Sequence, residues 1–146
     1  MNKEEFKNLL ENIKIVKVLK VFKHPYADKL NLVVIDMGGK AKVVITGASN
    51  MNEGDFIPYL GEGNIVPGYL LNHGEKVVLG KKMLRDLESD SMLLAQDEIG
   101  IGTDHTGLYI IEAENKEALL GKSILEIIDD ATLDKLLEVK SEEVHF

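Results

Sequence analysis

Five short runs of strand-forming residues follow one another between Lys14 and Ala95: "KIVKVLKVFK", "LNLVVIDMGG", "KAKVVITGA", "DFIPYL" and "SMLLA". Glycine, asparagine and aspartate separate most of them, and a sixth run, "GLYIIE", follows at Gly107. Many short strands with turn signals, and almost no long helix before the C-terminal stretch, describe a small closed or partly open β-barrel better than a sandwich.

Within the first run the apolar residues Ile15, Val16, Val18, Leu19, Val21 and Phe22 crowd one or both faces, while Lys14, Lys17, Lys20 and Lys23 recur at every third position. That spacing fits neither the strand period nor the helix period, so it predicts a bulge or a sharp curvature inside the strand. The second and third runs read as a hairpin joined at Met37 to Lys40, where Gly38 and Gly39 supply positive φ without steric cost. "YLLNHGEKVVL" reads as a second hairpin turning at His73 and Gly74. Before the barrel, Asn2 caps a helix with Glu5 three positions on, and Phe6, Leu9, Leu10 and Ile13 follow at helical spacing. After it, Leu119, Leu120, Ile124, Leu125, Ile127, Ile128, Leu133, Leu136 and Leu137 predict one or two short helices or a strand laid on the barrel or on a partner.

A chain of 146 residues supports one core, and 45% hydrophobic with 29% charged residues excludes wholesale disorder. The apolar runs are far shorter than the ~20 residues a membrane helix needs, and "MNKEEFKNLL" is charged rather than signal-like, so no membrane association is expected and the cytoplasm is the expected compartment. With no cysteine, the chain has no disulfide, thiol nucleophile or cysteine-based zinc site. The formal charge of −8 divides unevenly: residues 14–85 carry +5, residues 86–146 carry −12 and residues 1–13 carry −1. An acidic protein with one basic half still offers a positive face to a polyanion.

Enzyme constellations find little support. His24, His73, His105 and His145 lie 49, 32 and 40 residues apart with no metal-ligand spacing, so they read as surface or loop histidines and no metal is expected. "GASN" and "LGEGN" match neither phosphate-binding glycine pattern. Asp104-His105-Thr106 lacks a nucleophile elbow and reads as a polar loop, leaving no catalytic residue and no cofactor. The nucleic-acid signals are more coherent. "KHPYADKL" places Lys29 at the mouth of a strand, where its ammonium can meet a phosphate. "MLRDLESDSM" offers Ser89 and Met92 to unpaired bases, with Lys81, Lys82 and Arg85 as cationic donors beside them.

Three of these stretches, in this order, resemble a known family. "KHPYADKL" at 23–30, "TGASNMNEGDFIP" at 46–58 and "LRDLESDSMLLAQDEIG" at 84–100 are similar to the motifs of tRNA-binding domains built on an oligonucleotide-binding (OB) barrel. Such domains occur in bacterial phenylalanyl-tRNA synthetase β chains, in some methionyl-tRNA synthetases and as free-standing dimers. The continuation "GTDHTGLYIIE…GKSILEIIDDATLD" looks most like the β-chain branch. The resemblance implies a mainly β, five-stranded OB barrel with flanking N- and C-terminal helices or strands. It also implies tRNA contacts at Lys29, Asn50, Arg85, Ser89 and Met92. Departures stand beside the matches: Tyr26 replaces an asparagine, Asp86 and Ser91 replace glycines, and Leu94-Ala95 replaces Cys-Ser.

The expected organisation is an N-terminal helix at 1–12, an OB-fold tRNA-binding domain at 13–113 and an acidic extension at 114–146. The expected function is a non-catalytic tRNA-binding module of the phenylalanyl-tRNA synthetase β-chain type. If part of such a chain, it would belong to a phenylalanine-tRNA ligase. The rival is a protein-binding module, either a synthetase assembly domain or a dimer like a secretion chaperone. A homodimer or an aminoacyl-tRNA synthetase is the expected protein partner, the first argued from the apolar Phe6, Leu9, Leu10 and C-terminal leucines.

Overall fold

A computed structural model describes residues 2–144, so His145 lies outside the described residues. Its centre is an antiparallel sheet of β1 (Lys14–Lys23), β2 (Asn31–Asp36), β3 (Ala41–Thr46), β4 (Phe56–Leu60) and β7 (Met92–Leu93), in the order β3-β2-β1-β4-β7. Strand β1 makes this curl possible. Its first half pairs with β4 and its second with β2, and the register to β2 shifts between Val18 and Lys20, where the lysine spacing predicts it. The physical reason is parity. Val16 and Val18 point inward, and the extra residue turns Val21, rather than Lys20, toward the same interior. The curl stops short of closure. Strands β3 and β7 approach each other but share no ladder, so the expected barrel is a half-barrel with an open seam.

The hairpin between β2 and β3 forms as expected, with Gly38 and Gly39 at φ 97° and 101°. Asp36 accepts hydrogen bonds from both glycine N–H groups, at 3.0 Å from Gly39 and 2.8 Å from Gly38, and these hold its carboxyl below the usual carboxylate range. Two cores divide at β4, whose five residues are all buried. Ile57 and Tyr59 face the barrel interior with Val18, Val33, Ile35 and Leu93; Phe56 and Leu60 face a second core outside it.

That second core gathers the helices. Helix α1 (Lys3–Glu11) is capped as expected, the Asn2 side chain accepting from the Glu5 N–H at 2.9 Å. Phe6 and Leu10 are fully buried against residues that include Ile124 and Leu133 of the same chain. The C-terminal stretch forms 3-10 turns at Lys116–Leu119 and Ile124–Ile127, then α4 (Asp130–Val144).

Two strand expectations are corrected. "YLLNHGEKVVL" is no hairpin: Pro67–His73 is helix α2, with a proline in its first turn and Gly74 at φ 65° ending it. The alternation in "KVVL" reflects pairing with an earlier segment. Val66 N–H donates to Val77 O at 2.9 Å and Leu79 N–H to Asn64 O at 2.9 Å. Gly68 lets α2 sit directly on α3 (Gln96–Ile99), since a Cβ there would lie 1.7 Å from the Asp97 carbonyl oxygen. "GLYIIE" forms no strand either. It lies extended but changes partners, Tyr109 N–H donating to Leu94 O and Ile111 N–H to Phe56 O, so no ladder develops.

Candidate nucleic-acid interface

The loop "HPYADKL" is folded around its histidine. His24 is buried, and its Nδ1 accepts from the Tyr26 N–H at 3.0 Å, which leaves the ring proton on Nε2. That proton is donated to the Leu84 carbonyl at 2.9 Å, 60 residues along the chain. His24 N–H donates to Leu30 O and Lys23 Nζ to Asp28 O, closing the loop on itself. Lys29 projects from the closed loop and is exposed.

Opposite this loop stands a separate two-stranded ribbon, β5 (Lys82–Leu84) and β6 (Leu87–Ser89), joined by Arg85 and Asp86. Both turn residues have positive φ, 51° and 71°, the pattern of a type I′ hairpin turn. That turn ordinarily carries asparagine and glycine, so an arginine and an aspartate hold it under strain. Arg85 is exposed. Together with Tyr26, Ala27, Asp28, Lys29 and Leu30 it lines one concavity of about 560 Å³. Lys29 and Arg85, the two cationic candidates, therefore meet across it, and neither enters an ion pair among the described residues.

The other three candidates lie elsewhere. Ser89 is buried and donates weakly to Ser91 O at 3.5 Å; with half-buried Met92 it lines a smaller cavity of about 120 Å³ beside Lys82 and Leu84. Asn50 lines neither hollow. Its Nδ2 donates to Leu108 O and its Oδ1 accepts from Leu108 N–H, both at 2.9 Å, so its amide clamps that loop with one bond from each end. Gly107 makes room for that clamp, because a Cβ there would lie 2.6 Å from Asn50 Cγ.

Two groups were missed by sequence reasoning. His24 is no surface histidine, and the only local signal for its burial was the motif around it. The Asp104-His105-Thr106 loop is polar as expected, but His105 reaches back to Asp97 at 2.8 Å, and with Glu98 the donor atoms lie within 4.8 Å of one another. Asp97 raises the His105 pKa above the ordinary histidine value. Burial holds the Glu98 carboxyl above its usual range, although the Ala95 N–H at 2.8 Å and the Tyr69 hydroxyl at 3.1 Å both donate to it. Tyr69 in turn is pushed up to about 12, by burial and then by Glu98. Each Glu98 oxygen thus accepts a hydrogen bond from outside the trio, and Glu98 and His105 line a 350 Å³ cavity at the seam. Ala95 lines that cavity with a methyl group, having no hydroxyl to offer it.

A curled five-stranded half-barrel with flanking helices and a cationic hollow between two loops defines an OB-type module. The family model described as "Putative tRNA binding domain" matches residues 13–123, and the chain belongs to that family. It is 32% identical over 124 residues, 84% of its length, to the phenylalanine–tRNA ligase beta subunit of Dehalococcoides mccartyi. The beta subunit of Clostridium acetobutylicum is 35% identical over 130 residues, 86% of the chain. In each case the chain spans 15% of the relative's length. Among solved structures, the MetRS related protein from Pyrococcus horikoshii shares the fold with a TM-score of 0.53 at 22% identity, over 85% of this chain and 96% of that one.

Proposed function

We propose that the chain is a non-catalytic tRNA-binding module of the phenylalanyl-tRNA synthetase β-chain type that reads tRNA by shape. The observation that carries this reading is the meeting of Lys29 and Arg85, 56 positions apart, on one concavity of a protein whose net charge is −8. In this reading the two cations take backbone phosphate, and Met92 offers its thioether to an unpaired base. Ser89 shapes the turn before Met92, and Asn50 fixes the loop at Leu108. The barrel at 13–113 holds the RNA, while α1 and the segment from Leu119 to Leu137 brace it through the second core. Chemistry and cofactors belong to other parts of a ligase, which is the expected protein partner, and the cytoplasm is where such an enzyme works. Among the described residues no helix is long and apolar enough to cross a membrane.

Homodimerisation is the weaker partner proposal, because Phe6 and Leu10 are already covered within the chain. A concentration-independent species near 16.2 kDa in sedimentation would dismiss it. The tRNA reading is tested by a mobility-shift titration with bulk tRNA at several salt concentrations. Log affinity should fall linearly with log salt, by about 0.7 to 0.9 per phosphate contacted. No complex at low salt would overturn the reading.

A further inference from the structure

We propose that His24 is a positioning residue for RNA binding: its Nε2–H bond to the Leu84 carbonyl holds the Arg85 turn opposite Lys29, so that both cations reach the same phosphate. The inference rests on the tRNA reading and names the part that assembles its phosphate site.

Three observations meet in it. The ribbon that carries Arg85 has three residues in each strand and belongs to no larger sheet. A two-stranded hairpin of that size is marginal alone, so its place is set by what anchors it. Its turn is strained, with Arg85 at φ 51° and Asp86 at φ 71°, and strain of this kind persists only where the surroundings hold it. The anchor is His24, which binds the carbonyl of the residue immediately before Arg85 at 2.9 Å while its other nitrogen fixes the Lys29 loop through Tyr26 N–H. One buried imidazole, 4% exposed, thus joins the two walls of the concavity.

The two nitrogens can be separated by substitution. His24→Asn keeps an acceptor near the Nδ1 position and loses the donor to Leu84. His24→Gln keeps a donor near the Nε2 position and loses the acceptor for Tyr26. Affinity for bulk tRNA is measured for both, for Arg85→Ala and for His24→Asn/Arg85→Ala, with the same variants titrated with inorganic tripolyphosphate and followed by NMR at the backbone amide of residue 85 and at Lys29. The expected result is that His24→Asn weakens binding by as much as Arg85→Ala, that the double variant loses no more than either, and that His24→Gln restores most of the loss. A merely structural histidine would give losses that multiply in the double variant and no preference between glutamine and asparagine; either outcome overturns the proposal. A parent chain that responds at Arg85 to tripolyphosphate but not to tRNA refutes the tRNA reading, and the tripolyphosphate series then decides the role of His24. A parent that responds to neither refutes both.

Discussion

Lys42 of β3 and Asp90, two residues before β7, form a 2.8 Å ion pair across the seam where those strands share no backbone ladder. Lys42 stands opposite buried Ile35, so it enters from the barrel's inner face, and its ammonium lies 5.8 Å from the centre of the Tyr59 ring. A side-chain contact here does the work that strand pairing does elsewhere in the sheet. The two side chains are 30% and 25% exposed, and breaking the pair leaves a mostly covered charge without its partner. Lys42→Met or Asp90→Asn should therefore lower stability by about 1–2 kcal/mol, between the exposed and the buried ion-pair ranges, as read by urea unfolding. The pH sign follows from the direction of each shift. The Lys42 hydrogen bond holds the Asp90 carboxyl below 3.8, so its contribution is present above that value and is lost as pH falls through the folded pKa. Acid unfolding of Asp90→Asn should be shallower than that of the parent below about pH 4.

Asp86 occupies a left-handed position that a glycine takes without strain. Asp86→Gly should gain about 0.5 kcal/mol, the relieved strain being partly offset by the glycine's greater freedom when unfolded. It also removes a carboxylate next to Arg85. A higher melting temperature with tighter tRNA binding is the expected pair of results; looser binding would mean that Asp86 helps to orient Arg85.

Asn50 makes two hydrogen bonds to the Leu108 backbone, and Asn50→Ala should cost about 1–2 kcal/mol in chemical denaturation. The salt slope of tRNA binding should stay where it was. Gly107→Ala tests the same clamp from the other side, and should be the more damaging of the two because its Cβ meets the Asn50 amide.

Lys29→Ala should weaken binding to every tRNA by a similar factor, lower the salt slope by about one contact and leave the melting temperature unchanged. Met92→Ala should behave otherwise. Met92 packs against the second core, so a stability loss of about 1–2 kcal/mol is expected along with a loss of affinity that varies among RNAs. A Lys29→Ala protein that binds as the parent does would reduce its loop to a turn.

The half-barrel was legible where neighbouring residues decide the outcome. The three-residue lysine spacing announced the bulge in β1, Gly38-Gly39 announced the first hairpin, and Asn2 with Glu5 announced α1, because parity, positive φ and capping are settled within a few positions. The second hairpin failed for the opposite reason. Val77 and Leu79 are strand-like, but their partners are residues 64 and 66 rather than the adjacent 69–71, which Pro67 and the fit of Gly68 on α3 commit to a helix.

By itself the sequence determined the strand-rich barrel class, the basic half within an acidic chain and the family motifs, which nominate Lys29 and Arg85. Only the tertiary structure decided that those two share one hollow, that His24 joins its walls, that Asn50 is occupied by Leu108, and that Lys42 and Asp90 close the seam. Each of these brings together residues 48 to 60 positions apart, and such juxtapositions depend on how the sheet curls, a property of all its strands together that no local stretch encodes.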